Sequence, residues 1–425
     1  MKRQYFESPF SDGYLKAVHE SGLEIYIMEK PQFSSSYTLF GTKYGSIDTA
    51  FATDKSEKIT VPEGIAHFLE HKLFESEERD AFERFAETGA SANAFTSFDR
   101  TCYLFSCSER FDENLKILLD FVQSPYFTEQ TVSKEQGIIG QEIRMYDDSP
   151  AWRVMFNMLS AMYKDHPVRI DIAGTVDSIA QITADLLYKC YNTFYNLSNM
   201  YICIAGNIDT ENTLRLIEAQ LKPCEKQEII RYGYPENERV QKPYVEQCLP
   251  VSLPIFNLGF KRNIQSGEVS LKEKVCMELL LEIICGESSP LYASLVNEGL
   301  INDEFSSEYF TGRGFAAVII SGESTDPKKV ASKIKSRISK LADEGIDKKL
   351  FSAVKCELYG DAVRRYNTVE GSAMQLVDGA VSGYDIFDEI KILKSVTPDD
   401  VFRNLAYLDC NNTVLSVIKP EEEQK

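Results

Sequence analysis

The sequence predicts an α+β protein of two similar domains, on three observations. Its 425 residues exceed what one hydrophobic core usually organises. Runs rich in β-branched and aromatic residues, typical of strands, occur in both halves together with amphipathic helical runs. The layout of the first half recurs in the second as a diverged internal repeat.

Taken in order, Leu23–Met28 and Ser36–Tyr44 read as strands, the second ended by Gly45 and Ser46. Pro62, a favoured first-turn residue, opens a helix through Gly64–Glu75. Arg79–Glu87 is a second helix, stopped by Gly89. Residues 92–97 and 101–106 form two strands joined by a short turn. Asn93 and Ala94 are poor strand formers, so the first of the pair is an edge, a site or an ordinary turn. Helices are expected at Phe111–Gln123 and Glu129–Asp148, the latter ending before Pro150. Asp165–Gly174 is a loop in which His166 lacks a partner at helical ligand spacing and reads as structural. A helix at Thr183–Tyr195 and a strand at Asn199–Ala205 close a domain spanning 1–225. The polar, proline-bearing stretch 226–245 reads as a linker.

The second domain, 246–425, carries strands at 255–260, 314–321 and 413–418 and helices at 275–285, 328–342, 348–364 and 399–407. Between Cys285 and Leu291 lies a loop, and the tail Glu421–Lys425 reads as frayed. Laid over the first half, His67 falls on Leu279, Glu70 on Glu282 and His71 on Ile283. Glu135 falls on Val354 and Glu142 on Asp361. The second half keeps the layout and lacks the imidazoles.

Hydrophobic residues make up 43% and charged residues 26% of the chain, ordinary values for a globular protein. No apolar run approaches the ~20 residues of a membrane span. The opening MKRQYFESPF has no apolar core of a secretory signal. Ten cysteines without CxxC spacing read as reduced thiols, and the expected compartment is cytoplasmic. A net charge of −19 excludes a nucleic-acid partner. It would steer basic peptides, although plain solubility explains it as well.

The chemistry concentrates in His67-Phe68-Leu69-Glu70-His71. On a helix, His67 and His71 share a face and can point at one ion, with Glu70 bordering that face. Two imidazoles can hold zinc while the adjacent carboxylate takes a proton from water, the H-x-x-E-H order. Catalytic zinc needs a third protein ligand. Glu135 and Glu142 stand two turns apart on one helix and can supply one ligand and one carboxylate that orients a ligand. Imidazole and carboxylate also suit manganese or cobalt, with zinc the default.

Four stretches in order, GIAHFLEHKLFE, GASANAFTSFDRTCY, KEQGIIGQEIRMYDD and DHPVRIDIAGTVDSI, resemble the pitrilysin/insulinase family of inverzincin zinc peptidases. The chain is most similar to half-length members related to mitochondrial processing peptidase. The resemblance implies His67, His71 and Glu142 as Zn2+ ligands, Glu70 as general base and Glu135 as the outer carboxylate. It implies Asn93 and Ala94 as an edge that binds substrate backbone. The implied fold is two homologous domains, each a mixed β-sheet covered by helices, together half of a clamshell. The implied activity is a zinc metalloendopeptidase acting on peptides or unfolded segments inside a chamber formed with a second subunit. An alternative is a non-catalytic peptide-binding or core subunit.

Two departures bear on the partner. Family homodimers carry an Arg and a Tyr that contact substrate, and here those positions hold Val296 and Asn302. The Gly-rich loop of the non-catalytic mitochondrial subunit is absent. Both point to a heterodimer with a homologous chain, with Tyr309 and Arg313 as substitutes in a homodimer.

Overall fold

The computed structural model describes residues 1–10, 12–77, 79–264 and 269–421, so all but the first residue of the tail expected to fray lies outside the described residues. The first half opens with β1 (Lys2–Phe6), β2 (Tyr14–Val18), β3 (Glu24–Glu29), β4 (Ser36–Thr42) and a hairpin of β5 (Ala50–Thr53) and β6 (Ser56–Thr60). It continues through α1 (Ile65–Leu73), α2 (Ala81–Thr88), β7 (Ser91–Thr96), β8 (Thr101–Cys107), α3 (Phe111–Val122), α4 (Glu129–Asp147) and α5 (Pro150–Met162). It ends with α6 (Val176–Ile179), α7 (Ala184–Phe194), β9 (Met200–Gly206), α8 (Thr210–Gln220) and β10 (Ile229–Arg231). The second half runs β11 (Tyr244–Leu249), β12 (Ile255–Arg262), α9 (Leu271–Cys285), α10 (Pro290–Asn297), β13 (Ser306–Gly312) and β14 (Phe315–Glu323). There follow α11 (Pro327–Glu344), α12 (Lys348–Arg364), α13 (Val369–Ser382), α14 (Asp388–Ser395), α15 (Pro398–Arg403) and β15 (Thr413–Pro420).

The chain forms two compact units. The first comprises Met1–Ile143, Asp171–Tyr232 and Val363–Phe387; the second comprises Arg144–Ile170, Gly233–Ala362 and the segment from Asp388 onward. The first holds a seven-stranded sheet in the order β1-β2-β3-β9-β4-β8-β7, and the second a five-stranded sheet in the order β11-β15-β12-β14-β13. In the first sheet β3 and β9 run parallel, and in the second β11 and β15 do; the other pairs are antiparallel. Strands β3-β9-β4-β8-β7 therefore repeat as β11-β15-β12-β14-β13 with the parallel pair in the same place. Each sheet is mixed and covered by helices. Every residue of β9 is buried, as a strand covered on both faces requires.

The compact units depart from a division at 226–245. α5, from the first half of the sequence, packs on β11, β12 and β15; α13, from the second half, packs on β3, β4 and β9. The two halves thus exchange equivalent helices. Side-chain size shows why α5 lies so close to its sheet. A Cβ at Gly259 of β12 would meet Met162 Cε at 2.4 Å and Met158 Sδ at 2.6 Å, so glycine lets the thioethers of α5 lie directly on the strand, and a larger residue would make them shift. Nor is the stretch expected as a linker free chain, because β10 pairs with β5 and Tyr244 already begins β11. Segment 271–297, long and apolar enough to cross a membrane by composition, is two helices parted at 286–289, and α9 buries its apolar residues in the core.

His166 is structural, as its isolation suggested. In the second unit Glu236 accepts the backbone N–H groups of Lys164, Asp165 and His166 at 3.0, 2.8 and 2.9 Å, and the Lys261 ammonium at 2.9 Å. His166 Nδ1 accepts from the Val168 N–H at 3.1 Å, which leaves Nε2 to donate to the Arg313 carbonyl at 3.1 Å. Burial pushes the imidazole down to about 4.

A depressed histidine contributes stability that is fully present above about 6.5 and is lost as pH falls toward 4. His166→Gln should flatten that part of a urea-midpoint-against-pH curve while lowering stability at neutral pH. On α4, exposed Gly137 has open space where a side-chain methyl would stand, so Gly137→Ala should raise unfolding free energy by about 0.5–1 kcal/mol. Unchanged denaturation midpoints in either variant would contradict these accounts.

Candidate metal centre

The site begins with two glycines. Gly64 takes φ +85°, and a Cβ there would lie 2.3 Å from the Ala173 carbonyl oxygen; Gly174 takes φ +75°, and its Cβ would lie 2.6 Å from the Glu63 carbonyl oxygen. The two backbones cross where no side chain fits. Ser178 Oγ donates to the same Glu63 carbonyl at 2.9 Å. This crossing sets the start of α1 at Ile65, three residues beyond the expected Pro62. α1 is then enclosed nearly all round, burying Ile65, Ala66, Phe68, Leu69 and Leu73. Lys72 is fully buried as well and paired with Glu75.

Against that apolar setting the polar residues of α1 stand out. His67 and Glu70 are each 9% exposed, and the rings of His67 and His71 lie 4.6 Å apart. Glu142 reaches both from α4. Its Oε1 is 3.6 Å from His67 Nε2 and its Oε2 is 3.5 Å from His71 Nε2. Glu135, buried two turns earlier, places Oε1 3.1 Å from His71 Nδ1. The proton of His71 then sits on Nδ1, and the Nε2 lone pair faces Glu142.

This donor set fits a metal ion. One donor atom from each of His67, His71 and Glu142 lies within 4.8 Å of the others. Ligands at ~2.0–2.1 Å around a tetrahedral ion are separated by roughly 3.3 Å, close to the 3.5 and 3.6 Å seen here. Among the described residues this is the one such trio. For His71, burial alone favours the neutral ring, but the bond to Glu135 and the charges of Glu70 and Glu142 outweigh it and raise its pKa.

Glu70 has its own partner: Thr96 Oγ1 donates to Glu70 Oε2 at 2.6 Å. Thr96 ends β7, the edge of the seven-stranded sheet, which packs against α1. Asn93 and Ala94 lie on this strand; Asn93 is exposed, and its Oδ1 accepts the Ala94 N–H at 2.9 Å. β7 pairs with β8 on one side, and no strand of this chain pairs with its other edge among the described residues. His67, His71, Glu135 and Glu142 thus meet at one point, with Glu70 on the same helix and Asn93 and Ala94 on the strand beside it.

In the second unit, Tyr309 Oη accepts from Arg262 at 2.6 Å and donates to Glu273 at 2.8 Å. It is engaged within its own unit. Asn302 donates to Glu323 at 2.8 Å, while Val296 is 45% exposed on α10. Sequence reasoning missed Thr96, the Gly64–Gly174 crossing and Ser178. The signal was present, since both glycines and the threonine lie inside the stretches that carry the resemblance.

Residues 60–176 match the model of the insulinase family, peptidase family M16, and residues 181–358 match the peptidase M16 inactive domain. A zinc protease of Bacillus subtilis (strain 168) named YmfH is 44% identical over 392 residues, 90% of each chain. The chain belongs to peptidase family M16. An M16-like peptidase from Alicyclobacillus acidocaldarius is 34% identical to this M16 chain and superposes with a TM-score of 0.92, over 98% of this chain and 100% of that one. A Helicobacter pylori protease, 19% identical, shares the fold with a TM-score of 0.83 over 96% of this chain and 100% of its own. The family is one of zinc proteases, and the M16 chain is a half-length, pitrilysin-type member with a His–His–Glu trio able to take a metal.

Because Glu135 holds His71 by its Nδ1–H, Glu135→Gln should weaken Zn2+ binding by about 10–100-fold in a chelator-competition assay. Protons compete with the metal for His71, so wild-type affinity should fall as pH drops through the raised value of that ring. In Glu135→Gln the fall should move to lower pH. An unmoved curve would remove Glu135 from this role.

Proposed function

We propose that this chain is a zinc-dependent endopeptidase of the H-x-x-E-H type, acting on peptides or unfolded segments inside a chamber completed by a homologous second subunit. One observation carries the reading: the His67–His71–Glu142 trio, with His67 buried and His71 and Glu142 partly open to solvent, lies on and beside the helix that bears Glu70, next to a sheet edge open to an extended peptide. His67, His71 and Glu142 would hold the ion, which supplies Lewis-acid polarisation of a carbonyl and acidifies water. Glu70 accepts the proton of the attacking water and returns it to the leaving amine. Glu135 keeps His71 in the tautomer whose Nε2 faces the site. Asn93 and Ala94 take the peptide backbone as an added strand, which lays the scissile bond along β7.

Val296 and Asn302, at the positions where family homodimers bring Arg and Tyr, support a heterodimer in which the partner supplies those contacts. Tyr309, tied to Arg262 and Glu273, is a poor substitute. The inactive-domain match covers 181–358 and so leaves the His67 helix untouched.

Wild type and Glu70→Gln, each alone and with a co-purified partner, should be assayed on a quenched peptide library with matched metal analysis. Zinc at one per chain in both, with turnover reduced by about 10²–10⁴-fold in the variant, is the expected result. Equal cleavage by the two proteins, or no zinc in either, would sink the peptidase reading.

A further inference from the structure

We propose that Thr96 is a positioning residue: its hydroxyl sets the working orientation of Glu70 and ties that base to the strand that receives the peptide. The inference rests on the reading of Glu70 as the base. Its ground is the hydrogen-bond order around Thr96. A carboxylate only accepts, and Thr101 Oγ1 already donates to the Tyr44 carbonyl at 3.0 Å. The Thr96 proton is therefore committed to Glu70 Oε2, at a length of 2.6 Å, in the range of O–H···O⁻ bonds. The 3.4 Å contact between Thr96 and Thr101 Oγ1 then receives no proton from Thr101. With Oε2 held, Oε1 is the oxygen left to take a proton from water.

The donor is itself rigidly placed. Thr96 is β-branched and stiff about χ1, and it pairs with Thr101 as the last rung of the β7–β8 ladder. The turn beyond is closed by the Ser97 N–H on the Arg100 carbonyl at 2.8 Å. Arg100 in turn bonds Asp99 at 2.9 Å and Asp378 of α13 at 2.7 Å. Asn93 and Ala94 lie three and two residues back along the same strand. A peptide that pairs with that edge stiffens the segment holding the base, so the hydroxyl acts on kcat rather than on KM.

Thr96→Val removes the hydroxyl at nearly constant volume, and Thr96→Ser keeps it. Metal-free crystals of the full-length variants read the positioning directly and need no turnover. Glu70 should leave the Thr96 position in Thr96→Val and stay in Thr96→Ser. With zinc content equal to wild type, kcat should fall about 10–100-fold in Thr96→Val, KM should stay within about twofold, and serine should restore most of the rate. A Glu70 carboxylate unmoved in Thr96→Val overturns the proposal, and so does a serine variant as slow as valine. If valine disturbs the strand, seen as lost zinc or a lowered melting temperature, Thr96→Ala serves in both readouts. A wild type that cleaves no peptide refutes the peptidase reading alone, and the crystals still decide the role of Thr96.

Discussion

A metal ion requires three donors to converge on one point, and here they come from two helices roughly seventy residues apart in sequence. The helix repeat fixes His67 relative to His71 and Glu135 relative to Glu142 at no long-range cost. It does nothing to fix α1 relative to α4. A shared anchor lies in the segment after Ala173: the crossing of Gly64 with Gly174 seats the start of α1 on it, and Gln136 of α4 donates to its Ile179 and Ile182 carbonyls. The distance depends also on the direct bond from His71 to Glu135. The edge strand inherits the arrangement, because β7 packs on the helix that carries the imidazoles.

The second unit shows what the same scaffold does without that demand. Its five strands keep the order and directions of the first, but the positions of His67 and His71 hold Leu279 and Ile283, that of Glu135 holds Val354, and only that of Glu142 keeps a carboxylate, Asp361. Leu279 and Ile283 are fully buried, filling with hydrocarbon the space that imidazoles take in the first unit. Glu282 remains as a partly buried carboxylate, pushed up by burial first and then by the charges of Glu357 and Glu287. The fold is therefore self-supporting without donors of this kind, and the chemistry is an addition to one copy of it.

What could be read from the sequence divides along the same line between local and distant. The i, i+4 imidazoles, the two-turn carboxylate pair, the Asn–Ala strand and the isolation of His166 were legible because each depends on helix or strand periodicity. Most helix limits were legible for the same reason, as with Glu129–Asp147 and Lys348–Arg364. The hairpin β5–β6 was not, since SEKIT is polar and exposed and offers no alternating apolar face. The exchange of α5 and α13 was hidden too: an amphipathic helix announces that it will cover a sheet but not which one. Gly259, on which the methionines of α5 rest, has no local signature. Thr96 was visible as a residue, but its partner lies on another element.

The exchanged helix has a consequence for how the protein is made. α13 and the turn before it lie in the last quarter of the chain, yet they complete the first unit. Lys30, wholly buried, finds its acceptor at the Tyr366 carbonyl, and Arg100 finds one at Asp378. While the chain is still on the ribosome, residues 1–225 have neither. The buried cation has no acceptor and β9 is bare on the face that α13 will cover, so the hairpin bearing β7 lacks its clamp. A nascent first half is thus an unfinished unit, closed only once residues 363–387 have been made. The fold itself makes completion of the metal-bearing unit wait for α13.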